Sequence, residues 1–298
     1  MSILSLRGLV LGVCLLPPIA VAAPLPADEL QRQCWLRYTR ERTRVDLREP
    51  TMVAFSNIER AHRLRSPFAV DFAVRGMGVA PAGAVLPGTG HHHILIDTPL
   101  PIDIGAKIPF SDTHKHFGKG QTGAVLDLPA GRHTLRLLFA DHDHRPYFVY
   151  SKEVEIEVIG RRSGEPLRID RQNFDATCRS WYQDELARPR GPAEPLQVLN
   201  LRDGEAVTSP FNVRFGVDGF GVCASTLTAE RSGHFILDVL QGDRLVKTVD
   251  LSNGATQANL VLANGGYQLQ LRFVDGKTRR DLLPPALTGI VVQSQERL

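Results

Sequence analysis

Apolar and polar residues alternate with a period of two over several short stretches of the chain. Phe68, Val70, Phe72 and Val74 share one parity while Ala69, Asp71, Ala73 and Arg75 share the other, the pattern of a half-buried antiparallel strand. Leu135, Leu137 and Phe139 repeat it. So do Val154, Ile156 and Val158, with Glu153, Glu155 and Glu157 turned to water. Turn residues such as Pro129-Ala130-Gly131 and Asn264-Gly265-Gly266 separate these runs, so the pattern predicts small β-sandwiches of immunoglobulin-like size. Two polar stretches, Asp28 to Arg42 and Asp175 to Ala187, read as candidate helices, and Arg188-Pro189-Arg190-Gly191-Pro192 reads as a linker. Arg32, Arg37, Arg40, Arg42 and Arg44, interleaved with Glu41 and Asp46, read as a solvated helix face.

The strand pattern occurs twice. Ser66-Pro67-Phe68-Ala69-Val70-Asp71-Phe72-Ala73-Val74 lines up with Ser209-Pro210-Phe211-Asn212-Val213-Arg214-Phe215-Gly216-Val217. His93-Ile94-Leu95-Ile96-Asp97 lines up with His234-Phe235-Ile236-Leu237-Asp238, and the stretch from Gly131 to Asp141 with that from Gly265 to Asp275. The expected fold is all-β, with two tandem immunoglobulin-like sandwiches, each preceded by a short helical segment. The divisions read as 1–22 signal peptide, 23–49 polar helical segment, 50–160 first sandwich, 161–195 helix and linker, and 196–298 a second, degenerate copy.

The N-terminus has the form of a secretory signal. Arg7 precedes the apolar run Gly8 to Leu16, which is too short to span a bilayer, and Ala20-Val21-Ala22 offers small residues for cleavage after Ala22. Val13 before Cys14 argues against a lipoprotein anchor, and no later stretch suits membrane insertion. The expected location is the periplasm or outside the cell. Three cysteines then remain, and the similar settings of Cys34 and Cys178, each close to a tryptophan, point to their pairing, with Cys223 a free thiol. The 298 residues are 43% hydrophobic and 22% charged, as in an ordinary globular chain. With 35 basic and 32 acidic residues, the net charge of +3 excludes an electrostatic nucleic-acid binder.

Histidine changes this picture. Eight of the ten histidines lie between His91 and His144, and the two copies act as a control for what they do. What both retain is most simply ascribed to the fold; His93 and His234 are such a pair, for which structural hydrogen bonding is expected. Tyr267 stands in the place of His133, which therefore reads as structural, and His62, outside the cluster, reads as solvated. His91, His92, His114, His116, His142 and His144 belong to the first copy alone. Residues i and i+2 on a strand project to one side about 6.5–7 Å apart, within reach of one ion through imidazole nitrogens. These six are the candidate metal ligands, with His93, Asp112, Asp141 and Asp143 as orienting partners or alternative ligands. An imidazole-rich set suits Cu(II) or Zn(II) rather than Ca(II) or Mg(II), and the absence of Cys or Met within the cluster argues against Cu(I).

Gly118-Lys119-Gly120-Gln121-Thr122 lacks the full phosphate-loop pattern, and no G-x-S-x-G elbow or convincing Ser-His-Asp set occurs. Gly90-His91-His92-His93-Ile94-Leu95-Ile96-Asp97, the run from His114 to Thr122, and Leu138-Phe139-Ala140-Asp141-His142-Asp143-His144 together resemble a bacterial exported domain, the domain-of-unknown-function family 4399. The resemblance covers roughly His91 to Val158 and implies an exported β-rich module without an established activity. Three functions stay open: a copper- or zinc-binding module, a non-catalytic module that binds a cell-envelope partner and uses the histidines as a polar network, and a metal-dependent enzyme.

Overall fold

A computed structural model describes residues 20–45, 52–59, 61–103, 105–191, 195–227 and 229–293. Of the expected signal peptide only residues 20–22 fall among them. An edge strand β1 (Ala20–Val21) is followed by helices α1 (Glu29–Arg37) and α2 (Thr39–Arg42). Asp28 starts α1 by accepting the Gln31 N–H on its side chain at 3.0 Å, satisfying one of the free donors of a helix N-terminus.

The first sandwich contains β2 (Met52–Phe55), β3 (His62–Ser66), β4 (Phe68–Arg75), β5 (Gly78–Val79), β6 (Thr89–Ile96), β7 (His114–Phe117), β8 (Gly123–Leu126), β9 (Gly131–Ala140), β10 (Pro146–Tyr150) and β11 (Val154–Arg161). Helix α3 (Phe174–Leu186) leads to the second, built from β12 (Leu196–Val198), β13 (Glu205–Thr208), β14 (Phe211–Val217), β15 (Gly221–Val222), β16 (Ser232–Gln241), β17 (Arg244–Asp250), β18 (Gln257–Leu260), β19 (Gly265–Val274) and β20 (Ala286–Gln293). The larger sheets run β3-β11-β9-β6-β5 and β13-β20-β19-β16-β15, with β7 beside β6 and β17 beside β16; the smaller ones run β2-β4-β8 and β12-β14-β18. The two halves thus share one strand order. Strand β10 is added to the first large sheet and β1, parallel to β20, to the second.

Between each pair of sheets the predicted apolar faces meet. Phe68, Phe72, Leu137 and Phe139 fill the first core, and Phe211, Phe215, Phe235 and Phe273 the second, all 2% exposed or less. The opposite face of β4 is also covered. Ala69 and Asp71 are 3% and 2% exposed, not solvated as the alternation suggests, because Ala69 N–H donates to the Ala187 carbonyl at 2.8 Å and the Asp71 carboxylate is paired with Arg190.

The cover comes from an exchange of helical segments. The helices that precede the first sandwich pack on the second: Glu205 of β13, fully buried, accepts from Trp35 Nε1 at 3.0 Å and holds Thr39 and Arg42. Arg42 is therefore a buried ion-pair partner rather than part of a solvated face. In return α3 packs on the first sandwich, where Asp184 pairs with Arg65 at 2.6 Å and Arg162 at 2.9 Å. The contacts are reciprocal in detail. Asn57 Nδ2 donates to the carbonyls of Ala69 and Leu186, each at 3.0 Å, and Asn200 Nδ2 to those of Asn212 and Arg42 at 2.8 and 3.0 Å. Where the segments meet, Cys34 and Cys178 form a disulfide and Tyr38 stacks on Tyr182 with ring centroids 4.1 Å apart. Cys223 is free and buried.

Candidate metal centre

Strand β6 is buried along its whole length, and its parity divides the three consecutive histidines. His92 shares a face with Ile94 and Ile96 and enters the main core, its ring 4.9 Å from those of Phe72 and Phe139. His91 and His93 share the outer face with Leu95. On β7, His116 lies directly across from His93. The chain then turns after β9, where His144 adopts φ 66°, and this turn sets the His144 ring 5.1 Å from that of His91 and 4.9 Å from that of His116. Asp141 makes the turn: its Oδ1 accepts the N–H groups of Asp143 and Arg145 at 2.9 and 2.8 Å.

One ligand nitrogen from each of His91, His93 and His116 lies within 4.8 Å of the others. Gly118 makes room for this arrangement, since a Cβ there would strike the His116 ring. The β6–β7 loop closes over the group. Ile108 packs on Leu95, Leu138 and Ala140, its N–H donates to the His144 carbonyl at 2.9 Å, and Phe110 stacks on His116 at 4.6 Å.

The electrostatics of the group are unusual. His91 and His93 are fully buried and 3.0 Å apart through their Nε2 atoms, while His91 Nδ1, His93 Nδ1 and His116 Nε2 are buried with no partner. Burial, reinforced by the neighbouring imidazoles, pushes the pKa of His91 down to about 3 and that of His93 to about 2. His116 is lowered for the same reasons. These rings are neutral at neutral pH, with lone pairs available.

The other sequence candidates lie apart from this group. His92 is on the far side of the sheet, neither ring nitrogen has a partner, and burial takes its pKa to about 3. His114 sits opposite Leu95, its Nδ1 3.1 Å from the hydroxyls of both Ser111 and Thr113. His142 is exposed at the turn. His142 and His144 do not lie on a strand, because β9 ends at Ala140 and Asp141 closes a turn. Asp112 is exposed and pairs with Lys115 at 3.1 Å, and Asp143 pairs with Lys107 and Arg145. His93, expected to serve hydrogen bonding like His234 or to act as an alternative ligand, is hydrogen-bonded to His91 at 3.0 Å and lies within the cluster. His133 is structural, donating or accepting between Asp97 Oδ2 at 2.8 Å and the Pro129 carbonyl at 3.0 Å. His62 is buried rather than solvated, and desolvation lowers its pKa to about 4.

The second sandwich shows what happens at the same place without the histidines. Its turn after β19 carries Arg279 at φ 60°, the counterpart of His144, and Asp275 accepts the turn N–H groups as Asp141 does. Arg279 Nη1 donates to His234 Nε2 at 2.8 Å, and Nη2 to Asp250 at 2.6 Å. A fixed positive charge therefore stands against the imidazole that corresponds to His93.

Residues 70–159 match the family model described as Domain of unknown function (DUF4399). The DUF4399 match covers β4 from Val70 and continues into β11, and so contains every histidine of the cluster. No curated protein matches the chain. Solved structures similar to the chain include fibronectin(III)-like modules of Clostridium thermocellum CbhA, 9% identical, covering 82% of this chain and 95% of theirs at a TM-score of 0.24. Dimeric latent PorU from Porphyromonas gingivalis is 12% identical over 85% of this chain and 21% of its own, with a TM-score of 0.27. The central fibronectin-III array of RIM-binding protein is 10% identical over 85% and 72%, with a TM-score of 0.24.

Proposed function

We propose that the protein is an exported metal-binding module whose first sandwich holds one Cu(II) or Zn(II) ion at His91, His93 and His116, with His144 as a fourth donor. The observation that carries this reading is the set of two buried imidazoles and one half-buried one, each offering a nitrogen within 4.8 Å of the others and each with a buried nitrogen that has no partner among the described residues. Buried polar atoms are normally satisfied, and leaving one unmade costs about 1–3 kcal/mol. Nitrogens at the corners of a tetrahedron with bonds of about 2.0 Å lie about 3.3 Å apart, so His91, His93 and His116 need only draw together from within 4.8 Å, and the His144 ring stands beside them, 4.9 Å from that of His116. Arg279 supports the reading from the other sandwich, because a cation is accommodated against the corresponding imidazole there.

An all-nitrogen donor set favours borderline ions over calcium or magnesium. The ion would supply charge to the shared lone pairs and displace the proton between His91 and His93. Ile108 and Phe110 add apolar contacts on the loop side of the group. Export is supported by the leader pattern of Met1 to Ala22 and by the Cys34–Cys178 disulfide, which suits an oxidising compartment. The metal site lies on the first sandwich, to which the second is tied by the exchanged helices.

Equilibrium dialysis against Cu(II) and Zn(II) with elemental analysis tests the proposal. One ion per chain is expected for the wild type, and a loss of at least about tenfold in affinity for His93→Ala and for His116→Ala. Equal uptake by wild type and both variants, or none by any, favours the polar-network alternative that the direct His91–His93 hydrogen bond already suggests.

A further inference from the structure

Between the sandwiches lies a cleft of about 760 Å³, lined among others by Thr89, Leu86 and Pro87 from the first and Asn253, Gln257 and Asn259 from the second. A smaller recess of about 90 Å³ shares Arg75, Asn212, Gln257 and Asn259 with it and adds Arg44 and Arg214. Among the described residues, no Asp or Glu lines either space. Two polar atoms at the recess lack partners among those residues. Asn212 is 5% exposed; its Nδ2 donates to Asn259 Oδ1 at 2.8 Å, but its Oδ1 is buried and unpartnered. Arg214 donates from Nη1 to the Ser56 carbonyl at 2.7 Å, while its Nε is buried and unpartnered. The corresponding residue of the first sandwich is Asp71, which is neutralised by Arg190. Arg214 forms no ion pair among the described residues.

We infer that this cleft binds a carboxylated carbohydrate, with a carboxylate in the recess against Arg214 and a ring hydroxyl donating to Asn212. The recess calls for an anionic acceptor and a neighbouring donor at once, which a uronate unit presents on adjacent ring positions. A guanidinium is the side chain best shaped to hold a carboxylate. The carboxamides of Asn253, Gln257 and Asn259 each offer a donor and an acceptor, matching sugar hydroxyls, and Leu86 and Pro87 offer apolar surface to a ring face. The volume falls within the usual range for ligand sites, about 300–1,000 Å³. The site uses no residue of the histidine cluster and stands apart from the metal reading.

Isothermal titration of the full chain in EDTA tests it, with trigalacturonate as probe, maltotriose as a neutral sugar of equal length and triglutamate as an acidic peptide. Trigalacturonate is expected to bind, weakening as salt is raised, and maltotriose to bind at least about tenfold more weakly, the loss of one charge-assisted hydrogen bond. Gln257→Ala/Asn259→Ala is expected to weaken trigalacturonate at least about tenfold while circular dichroism shows the chain still folded. His93→Ala is expected to leave it within twofold. No trigalacturonate binding, equal binding of maltotriose, binding unaffected by the double variant, or preference for triglutamate each overturns the inference.

Discussion

Replacing His92 by Phe separates the two faces of β6. His92 is wholly buried against Phe72 and Phe139, with both ring nitrogens unpartnered, and its pKa in the folded protein is about 3. In the unfolded chain a histidine titrates near 6.5. Below that pH the unfolded state gains a proton that the folded state refuses, so stability is lost as pH falls from 6.5 towards 3. Between pH 7.5 and 5.5 this one group costs about 1.4 kcal/mol. Phenylalanine removes that loss entirely. At pH 7.5 the variant saves the desolvation of two orphaned nitrogens, about 1–3 kcal/mol each, against some overpacking by the larger ring. That offset is the same at both pH values and drops out of the comparison. Urea unfolding of metal-free wild type and His92→Phe, followed by circular dichroism at the two pH values, should show the difference in stability move by about 1.4 kcal/mol in favour of the variant at pH 5.5. Metal uptake should be unchanged. A stability difference that is independent of pH, or a variant that no longer takes up metal, would refute the placement of His92 in the core.

His114→Ala and His142→Ala should each leave metal affinity within about twofold, since neither ring reaches the cluster, and competition with a chromophoric chelator reads this directly. Glu205→Ala should cost about 3–5 kcal/mol in chemical unfolding by stranding the buried Arg42, whereas an effect under 1 kcal/mol would contradict the docking of α2 on the second sandwich. Removing the disulfide by Cys34→Ser/Cys178→Ser should lower stability by about 5 kcal/mol, the loop entropy for a separation of 144 residues.

The alternation of Phe68, Val70, Phe72 and Val74 was enough to place β4 and its core face, because side chains on a strand must alternate sides. The same rule puts His91 and His93 on one face, but the sequence comparison counted His92 among the ligands and ranked His93 as an orienting partner or alternative ligand. Only the register of β6 on β7, with His93 opposite His116, shows which face collects the ligands. That register depends on the path of residues 97–113, which no local pattern encodes. His144 was legible as a candidate, but the Asp141 turn that aims it was not. The pairing of Cys34 with Cys178 could be read from their similar settings. The reciprocal docking of each helical segment on the other sandwich could not, because burial of Asp71, Arg42 and Asp184 depends on partners more than a hundred residues away.

X-ray absorption at the zinc edge of the protein loaded with one equivalent of Zn(II) addresses the cluster most directly. The account predicts three to four nitrogen neighbours at about 2.0 Å with the outer-shell scattering of imidazole, and loss of that scattering in His93→Ala/His116→Ala. A shell of oxygens without imidazole scattering in the wild type, or an unchanged spectrum in the variant, would contradict it.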